Sequence, residues 1–297
     1  MDRFRNKIVG PGKAFTERIL SWSGGFSPKS IIDLYYYRRM KGILPELENY
    51  KRTTIRHVIK RAQELGYTNL RQYYMYLQHD VKEQTYMNSN MTLKGSHFFR
   101  GNDWGYFRDQ CLSQFSGRKG LKLWCAGCSS GEEVYSLIMA LLDYVPLSEI
   151  NVLATDYNDE LLEKCRKGKY GNSHYTEVPE RYQKYLEKDP KGFAVQSELV
   201  NLIHLRNLNL LTDPFPEGFD IILCRNVLKF FSRQMIAQTQ EKLAMALNKD
   251  GFLFLSADDN HDHREFIAEP ASMGLKQMDD RCIYQKTATF VTSEIQL

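Results

Sequence analysis

The chain has 297 residues, 42% hydrophobic and 26% charged, which predicts a globular protein with a sizeable core and excludes disordered, collagen-like and disulfide-rich classes. The net charge of +4 hides an asymmetry, since residues 1–100 hold 18 basic and 8 acidic residues, whereas residues 101–297 hold 22 basic and 28 acidic ones. A uniformly basic nucleic-acid-binding coat is therefore disfavoured, and a basic domain joined to a mildly acidic one is expected.

Residues 1–100 are predicted to form a small N-terminal all-helical domain. Its clearest helix covers residues 50–65, where apolar side chains recur at helical spacing. These side chains are Ile55, Val58, Ile59, Ala62 and Leu65. We expect Gly66 to end this helix and Asn69 to cap the next one, residues 70–77.

A basic ridge lies on the same predicted helix, within residues 51–65. Arg52, Arg56 and Lys60 stand at positions i, i+4 and i+8, so their side chains share one face. Such a face suits an acidic partner. The acidic balance of the larger half and the lack of an N-P-P-Y-like motif argue against a nucleic acid in that role.

Residues 101–297 alternate strand and helix patterns. Strands are predicted at 121–126, 151–155, 202–205, 219–224 and 252–255, with later candidates at 283–285 and 289–291. Helices are predicted at 159–167 and 233–247, and after the first strand, where Val134, Leu137, Ile138 and Leu141 have helical spacing. This alternation predicts an α/β fold with an open, mostly parallel sheet that binds ligands beyond the carboxyl ends of its strands.

Polar residues follow several of these strands. The run A-G-C-S-S-G-E-E at 126–133 differs from the G-x-G-x-x-G of dinucleotide sites, and its glutamates disfavour a phosphate but tolerate a cation. Asp156 suits ribose hydroxyls, and Asn209 and Asn226 offer amides to an adenine. Each feature alone also fits a structural role, such as an acidic helix N-terminus or a capping aspartate. Together they favour S-adenosylmethionine.

The cellular location and the metal content of the protein are predicted from sequence features that are missing. It has no run of 18 apolar residues and no N-terminal secretory signal, so we expect a cytoplasmic protein with no membrane insertion and with six free cysteines. The lone C-x-x-C of Cys125 and Cys128 lacks a second pair of ligands. No histidine stands at a metal-binding sequence spacing from a cysteine, so no metal site is predicted.

Five sequence motifs follow one another in order. They are S-x-F-F-R at 96–100, W-C-A-G-C-S-S-G-E-E at 124–133, L-A-T-D at 153–156, L-N-L-L at 208–211 and F-D-I-I-L-C-R-N-V-L at 219–228. With them, residues 42–260 resemble the chemotaxis receptor methyltransferase (CheR-type) family, which methylates chemoreceptor glutamates. The resemblance implies a Rossmann-like S-adenosylmethionine-dependent methyltransferase domain at 101–297, with a small inserted subdomain at about 170–207.

The resemblance implies roles at the methionine end of the cofactor. Ser96 and Arg100 are expected to reach the methionine end and its carboxylate, and Arg100 also to orient the reacting carboxylate. Ala126 and Glu132 are expected to line the pocket near the methionine amine. The product is S-adenosylhomocysteine.

The resemblance also implies roles at the nucleoside and the sulfonium. Asp156 is expected to bind the ribose. Asn209 and Leu210 are expected to flank the adenine. Asn226 and Val227 are expected to close the pocket near the sulfonium.

The implied partner is the acidic methylation region of chemoreceptor cytoplasmic helices. Arg52, Arg56 and Lys60 are expected to face that region, and the inserted subdomain docks a receptor tail in some family members. The protein is expected to act as a monomer.

Three departures from the family lie near the methyl-transfer end. Lys94-Gly95-Ser96 replaces the usual N-E-T, Phe230 replaces a tyrosine, and S-A-D-D at 256–259 replaces G-H-S-E. They leave two alternatives open, a CheR-like methyltransferase of another protein or small molecule and a cofactor-binding sensor without catalysis. Because a glutamate is ionised at neutral pH and needs no general base, catalysis is expected to survive the loss of one tyrosine hydroxyl.

Overall fold

A computed structural model describes residues 31–41, 43, 44, 47, 55–88, 96–228, 231, 233–256 and 270–287. The chain divides into two compact units, Met1–Leu93 and Lys94–Leu297. Within the described ranges, no helix is both long enough and apolar enough to cross a membrane. The candidate strand at 289–291 lies outside the described residues.

The described part of the first unit is helical. Its helices are α1 (Ile31–Met40), α2 (Ile55–Glu64), α3 (Leu70–Leu77) and α4 (Val81–Asn88). Arg61 of α2 donates from Nε and Nη2 to the two carboxylate oxygens of Glu83 in α4, at 2.9 and 2.8 Å. Tyr73 of α3 donates its hydroxyl to the same carboxylate at 2.7 Å. One buried carboxylate therefore joins three helices.

Helix boundaries in this unit follow local signals. Asn69 caps α3, as predicted, because its side chain accepts a backbone N–H of the first turn at 3.0 Å. Gly66, with a φ of 82°, turns the chain after α2. Of the predicted apolar stripe, Val58 is fully buried, whereas Leu65 is 38% exposed because it lies beyond the end of the helix.

The second unit alternates strands and helices. Its strands are β1 (Leu121–Ala126), β2 (Ile150–Asp156), β3 (Lys169–Gly171), β4 (Leu186–Asp189), β5 (Gly192–Val195), β6 (Ile203–Asn207), β7 (Phe219–Cys224), β8 (Leu247–Leu255), β9 (Leu275–Gln277) and β10 (Ile283–Lys286). Its helices include α5 (Asp103–Tyr106), α6 (Glu132–Leu141), α7 (Asp159–Lys167), α8 (Asn172–Tyr175), α9 (Ser197–Val200) and α10 (Arg233–Ala246). The predicted elements are confirmed closely, except that β8 begins five residues earlier than expected.

Seven strands form one sheet in the order β6-β2-β1-β7-β8-β10-β9. The first five are parallel, and β10 runs antiparallel to both β8 and β9. The strand order reverses between β1 and β7, which is the switch point where open α/β sheets bind ligands. The sheet confirms the predicted α/β, Rossmann-like fold class.

The strands β3, β5 and β4 form a separate three-stranded antiparallel sheet. In the sequence, this sheet comes after α7 and before β6. Its strands span residues 169–195, a shorter segment than the predicted insert of 170–207. Residues 203–207 are β6, which pairs with β2 at one edge of the large sheet. Ile203 and Leu205 pack against the main core, which explains why this segment belongs to the large sheet.

The core of the second unit lies around β1 and α6. The apolar positions predicted for α6 are fully buried, namely Val134, Leu137, Ile138 and Leu141. All six cysteines are buried free thiols. Burial raises the pKa of the Cys111 and Cys224 thiols to about 12, so both stay protonated at neutral pH.

Gly131, directly before α6, is tightly enclosed. Its φ is 96°, and a Cβ at this position would lie 2.4 Å from Sγ of Cys165. We expect Gly131→Ala to lower the free energy of unfolding by about 2–5 kcal/mol, because backbone strain adds to steric overlap.

Gly117→Ala is the matched control for this substitution. Gly117 also has a positive φ, 72°, but a Cβ there would meet no atom within 4 Å. Its expected loss is therefore about 1–2 kcal/mol, from the left-handed backbone alone. Denaturant titration measures both variants, and equal losses would contradict the steric explanation.

Candidate active site

The turn after β1 is fastened to the end of β2. Gly127 and Cys128 both donate backbone N–H groups to the carbonyl oxygen of Thr155, each at 2.8 Å. Ser129, with a φ of 52°, donates its backbone N–H to Oδ2 of Asp156 at 2.9 Å. The ends of two neighbouring strands are therefore held in one arrangement.

Asp156 is a buried carboxylate at the end of β2, with 8% of its surface exposed. Its Oδ1 accepts the backbone N–H of Asn158 at 3.0 Å, while Oδ2 accepts that of Ser129. Burial raises the pKa of Asp156, and these backbone donors act in the opposite direction. Since a carboxylate oxygen has two lone pairs, both oxygens can also accept a ligand hydroxyl.

Two consecutive glutamates open α6 in different surroundings. Glu132 is 3% exposed, and its carboxylate oxygens accept the hydroxyl of Ser130 at 2.9 and 2.8 Å. Glu133 forms an ion pair with Arg225, which follows β7. Burial raises the pKa of Glu133, and the positive charges of Arg225 and Arg100 oppose that effect.

Arg225 contacts several parts of the unit at once. Its side chain is 4% exposed, and Nη2 donates to the carbonyl oxygen of Arg100 at 2.7 Å. Its Cζ lies 4.5 Å from the ring centroid of Phe254 and 5.6 Å from that of Trp104, within cation–π distance. Together with the pair to Glu133, these contacts hold the backbone before α5 against the loop after β7.

The segment 98–100 has three backbone groups bonded to side chains of other elements. The N–H of Phe98 donates to Oε2 of Glu177 at 2.9 Å, and the N–H of Phe99 donates to Oγ of Ser136 at 2.9 Å. The third group is the carbonyl oxygen of Arg100, which accepts a hydrogen bond from the buried guanidinium of Arg225. Phe99 has a φ of 47°, a conformation that non-glycine residues rarely adopt, and these bonds maintain it.

The loop after β6 is a compact turn. The Oδ1 of Asn209 accepts the backbone N–H of Leu211 at 2.9 Å, and the backbone N–H of Asn209 donates to Oδ2 of Asp213 at 2.9 Å. Leu210 is buried. The amide NH₂ of Asn209 is the part of this side chain that remains suited to a ligand acceptor.

The loops after β1 and β7 approach each other closely. A Cβ at Gly127 would lie 2.5 Å from Cγ2 of Val227, so only glycine fits there. The preceding residue, Asn226, has a φ of 59°. This approach places the C-R-N-V segment against the turn that begins the site.

The charges at these strand ends favour a cationic ligand. Glu132 and Asp156 are buried acidic groups, whereas the Glu133 side chain is 15% exposed and pairs with the buried base Arg225. A phosphate would meet unfavourable charge here, whereas a positively charged ligand with hydroxyl groups fits the donors and acceptors.

Comparison with known proteins identifies the family. The family model described as "CheR methyltransferase, SAM binding domain" matches residues 94–271. The chain belongs to the CheR methyltransferase family. It is an S-adenosylmethionine-dependent methyltransferase, and residues 94–271 form its cofactor-binding domain.

Curated relatives cover most of this CheR-family chain. A chemotaxis protein methyltransferase of Listeria monocytogenes is 31% identical over 254 residues, covering 83% of this chain and 94% of the relative. A chemotaxis protein methyltransferase of Escherichia coli K12 is 30% identical over 263 residues, covering 84% of this chain and 89% of the relative. The similarity therefore extends over both units of the chain.

The fold brings most of the predicted cofactor residues to one end of the large sheet. Those at or directly after strand ends are Ala126, Glu132, Asp156, Asn209, Leu210, Asn226 and Val227. Arg100 is tied to this group through the bond from Arg225 to its carbonyl oxygen, and Ser96 lies just before the fixed segment. The individual cofactor contacts of these residues stay predictions.

The predicted substrate residues belong to the first unit. Arg52 lies outside the described residues, and of Arg56 the structure describes the backbone in α2. Lys60 is exposed and pairs with Glu64 at 3.9 Å. Of the departures from the family, Lys94, Gly95, Phe230 and residues 257–259 also lie outside the described residues.

Sequence reasoning missed the pairing of Glu133 with Arg225. An arginine directly after a fully buried strand was the available signal, because a buried guanidinium needs an acidic partner. The partner itself is 92 positions away, and no local pattern reports such a separation.

We expect Arg225→Met to lower the free energy of unfolding by about 3–5 kcal/mol, because it removes a buried guanidinium and leaves the partly buried Glu133 carboxylate without its cation. The double variant Arg225→Met, Glu133→Gln should recover part of that loss. Denaturant unfolding of the native protein, both single variants and the double variant measures the coupling.

The control is Arg166→Met. Arg166 pairs with Glu163 at 3.2 Å, but the two side chains are 62% and 50% exposed, so we expect a loss of about 1 kcal/mol or less. If the loss of unfolding free energy in the double variant equals the sum of the losses in Arg225→Met and Glu133→Gln, the two side chains do not stabilise each other.

Proposed function

We propose that this enzyme methylates glutamate side chains in the cytoplasmic helices of chemoreceptors, and that it works in the cytoplasm. The observation that carries the proposal is the position of Arg100 beside the acidic strand ends. Its carbonyl oxygen accepts a hydrogen bond from Arg225, and the preceding residue, Phe99, donates its backbone N–H to Ser136. The chemotaxis names of the curated relatives support the choice of substrate.

The donor set of the second unit fits S-adenosylmethionine. When bound, this cofactor supplies an electrophilic methyl group on a sulfonium. Asp156 would accept ribose hydroxyls, and the amide of Asn209, with Leu210, would flank the adenine. The remaining predicted contacts, at the methionine end and near the sulfonium, would come from Ser96, Arg100, Ala126, Glu132, Asn226 and Val227.

The acceptor needs orientation rather than activation. A glutamate carboxylate is ionised at neutral pH, since its ordinary pKa is about 4.3. The enzyme therefore requires no general base, and its contribution is to hold the acceptor in line with the methyl group. Arg100 would provide a charge-assisted, directional contact to that carboxylate.

The basic ridge of the first unit would recognise the receptor. Arg52, Arg56 and Lys60 carry charge opposite to that of an acidic receptor helix, and such complementarity raises the association rate. The methylation region would thus be recruited by the first unit, while the second unit supplies the cofactor.

The central experiment incubates the enzyme with methyl-labelled S-adenosylmethionine and cytoplasmic receptor fragments. We expect label on glutamates as alkali-labile methyl esters. Binding of S-adenosylhomocysteine without methyl transfer would favour the sensor alternative, and label on another protein or a small molecule would favour the second methyltransferase alternative.

We expect Asp156→Asn to weaken S-adenosylhomocysteine binding by about 1.5–3 kcal/mol, the usual contribution of a hydrogen bond to a charged group. Because burial raises the pKa of Asp156, its carboxylate takes up a proton at a higher pH than an ordinary aspartate. The affinity of the native enzyme for S-adenosylhomocysteine should therefore fall on acidification. The part of this fall that comes from protonation of Asp156 should be absent in the variant.

Calorimetric titration across the acidic pH range measures this difference. Glu198→Gln, which removes an exposed carboxylate of the same unit, is the control and should leave the affinity unchanged. An identical pH profile for the native enzyme and Asp156→Asn would exclude Asp156 as the titrating ligand.

Charge reversal tests the basic ridge. We expect the triple variant Arg52→Glu, Arg56→Glu, Lys60→Glu to lose receptor methylation at least tenfold at low salt while its S-adenosylhomocysteine affinity is unchanged. The control reverses three exposed basic residues of α7, Lys164, Arg166 and Lys167, with the same change in net charge. Equal losses in the two triple variants would mean that overall charge, rather than the ridge, governs methylation.

A further inference from the structure

Three potential metal ligands meet beside the fixed segment 98–100. Nδ1 of His97 lies 2.8 Å from Oε1 of Glu177, and Nδ1 of His174 lies 3.2 Å from Oε2 of the same carboxylate. One ligand atom from each residue lies within 4.8 Å of the others. In the described part of the chain, no other group of three histidine, cysteine or acidic side chains comes this close.

The donor set and spacing suit zinc. Zinc binds imidazole nitrogen at about 2.0–2.1 Å and carboxylate oxygen at about 2.0–2.2 Å, so tetrahedral ligand atoms lie roughly 3.3 Å apart. The separations of 2.8 and 3.2 Å are close to that value. Two imidazoles disfavour magnesium and calcium, which prefer oxygen ligands.

The carboxylate and one imidazole are already oriented by neighbours. The backbone N–H of Phe98 donates to Oε2 of Glu177 at 2.9 Å, as outer partners of metal-binding carboxylates do. Burial tends to raise the pKa of Glu177, but the bonds from His97, Phe98 and His174 hold it below its ordinary value. The ring of His174 packs beside those of Phe98 and Tyr170, with centroids 6.5 and 6.1 Å away.

The cluster is accessible to an ion from solvent. The side chains of His97, His174 and Glu177 are 49%, 27% and 24% exposed. By contrast, Cys125 and Cys128 are buried, and burial contributes to raising the pKa of both thiols, so neither is a competing thiolate ligand.

We propose that His97, His174 and Glu177 bind one Zn²⁺ ion, with water at the fourth position. The site would cross-link the segment before Arg100 to α8 and to the loop that follows it. None of its three ligands is a proposed cofactor contact, and zinc binding is measured without methyl transfer, so the failure of this site and the failure of the proposed function are distinguishable.

The test uses the full chain, stripped with EDTA and kept reduced with a phosphine that does not bind zinc. Zn²⁺ competition against a chromogenic chelator measures affinity and stoichiometry. We expect one zinc per chain and a higher melting temperature with zinc, because a ligand that binds the folded state stabilises it. His97→Ala and His174→Ala should each weaken zinc binding at least tenfold, since even outer partners contribute about 10–100-fold.

His204→Ala is the matched control, because His204 is an exposed histidine of the same unit and lies outside the cluster. Its zinc affinity should equal that of the native chain. Circular dichroism in EDTA checks that each variant is folded, and Glu177→Gln, which keeps the side-chain shape, provides a second way to weaken the site. Native-like zinc affinity in His97→Ala and His174→Ala would overturn the proposal, as would a native chain that binds no zinc at micromolar concentrations.

Discussion

The guanidinium of Arg225 is enclosed by the Glu133 carboxylate, the carbonyl oxygen of Arg100 and the faces of Phe254 and Trp104. Removing such a charge from water costs several kcal/mol unless its partners are in place. The N-terminus of α6, the loop after β7 and the backbone before α5 are therefore required together. These contacts therefore tie the candidate active site to the core of the second unit.

The charge of this site is opposite to that of the proposed basic ridge of the first unit. Once Arg225 has matched Glu133, the carboxylates of Glu132 and Asp156 leave the strand ends negative, and the α6 N-terminus favours that sign. A cationic cofactor relieves the cost of burying these carboxylates. The proposed receptor-binding ridge of the first unit would attract an acidic protein through its opposite charge.

The sequence predicted what local patterns encode. Apolar runs located the strands, and residues at or just after their carboxyl ends, such as Asp156 and Asn226, lie at one end of the sheet. The pairing of Glu133 with Arg225 spans 92 positions, and that of His97 with Glu177 spans 80. Such pairs depend on strand order and on the path of the insert, which spacing in the sequence does not report.

Phe99 shows why even a recognisable motif does not fix its own geometry. Its left-handed backbone costs about 1–2 kcal/mol for a non-glycine residue. Three hydrogen bonds from segment 98–100 to Glu177, Ser136 and Arg225, each contributing about 0.5–1.5 kcal/mol, offset that cost. These three partners come from the insert, from α6 and from the loop after β7. The position of the Arg100 backbone is therefore a property of the whole second unit, although the motif that contains it is five residues long.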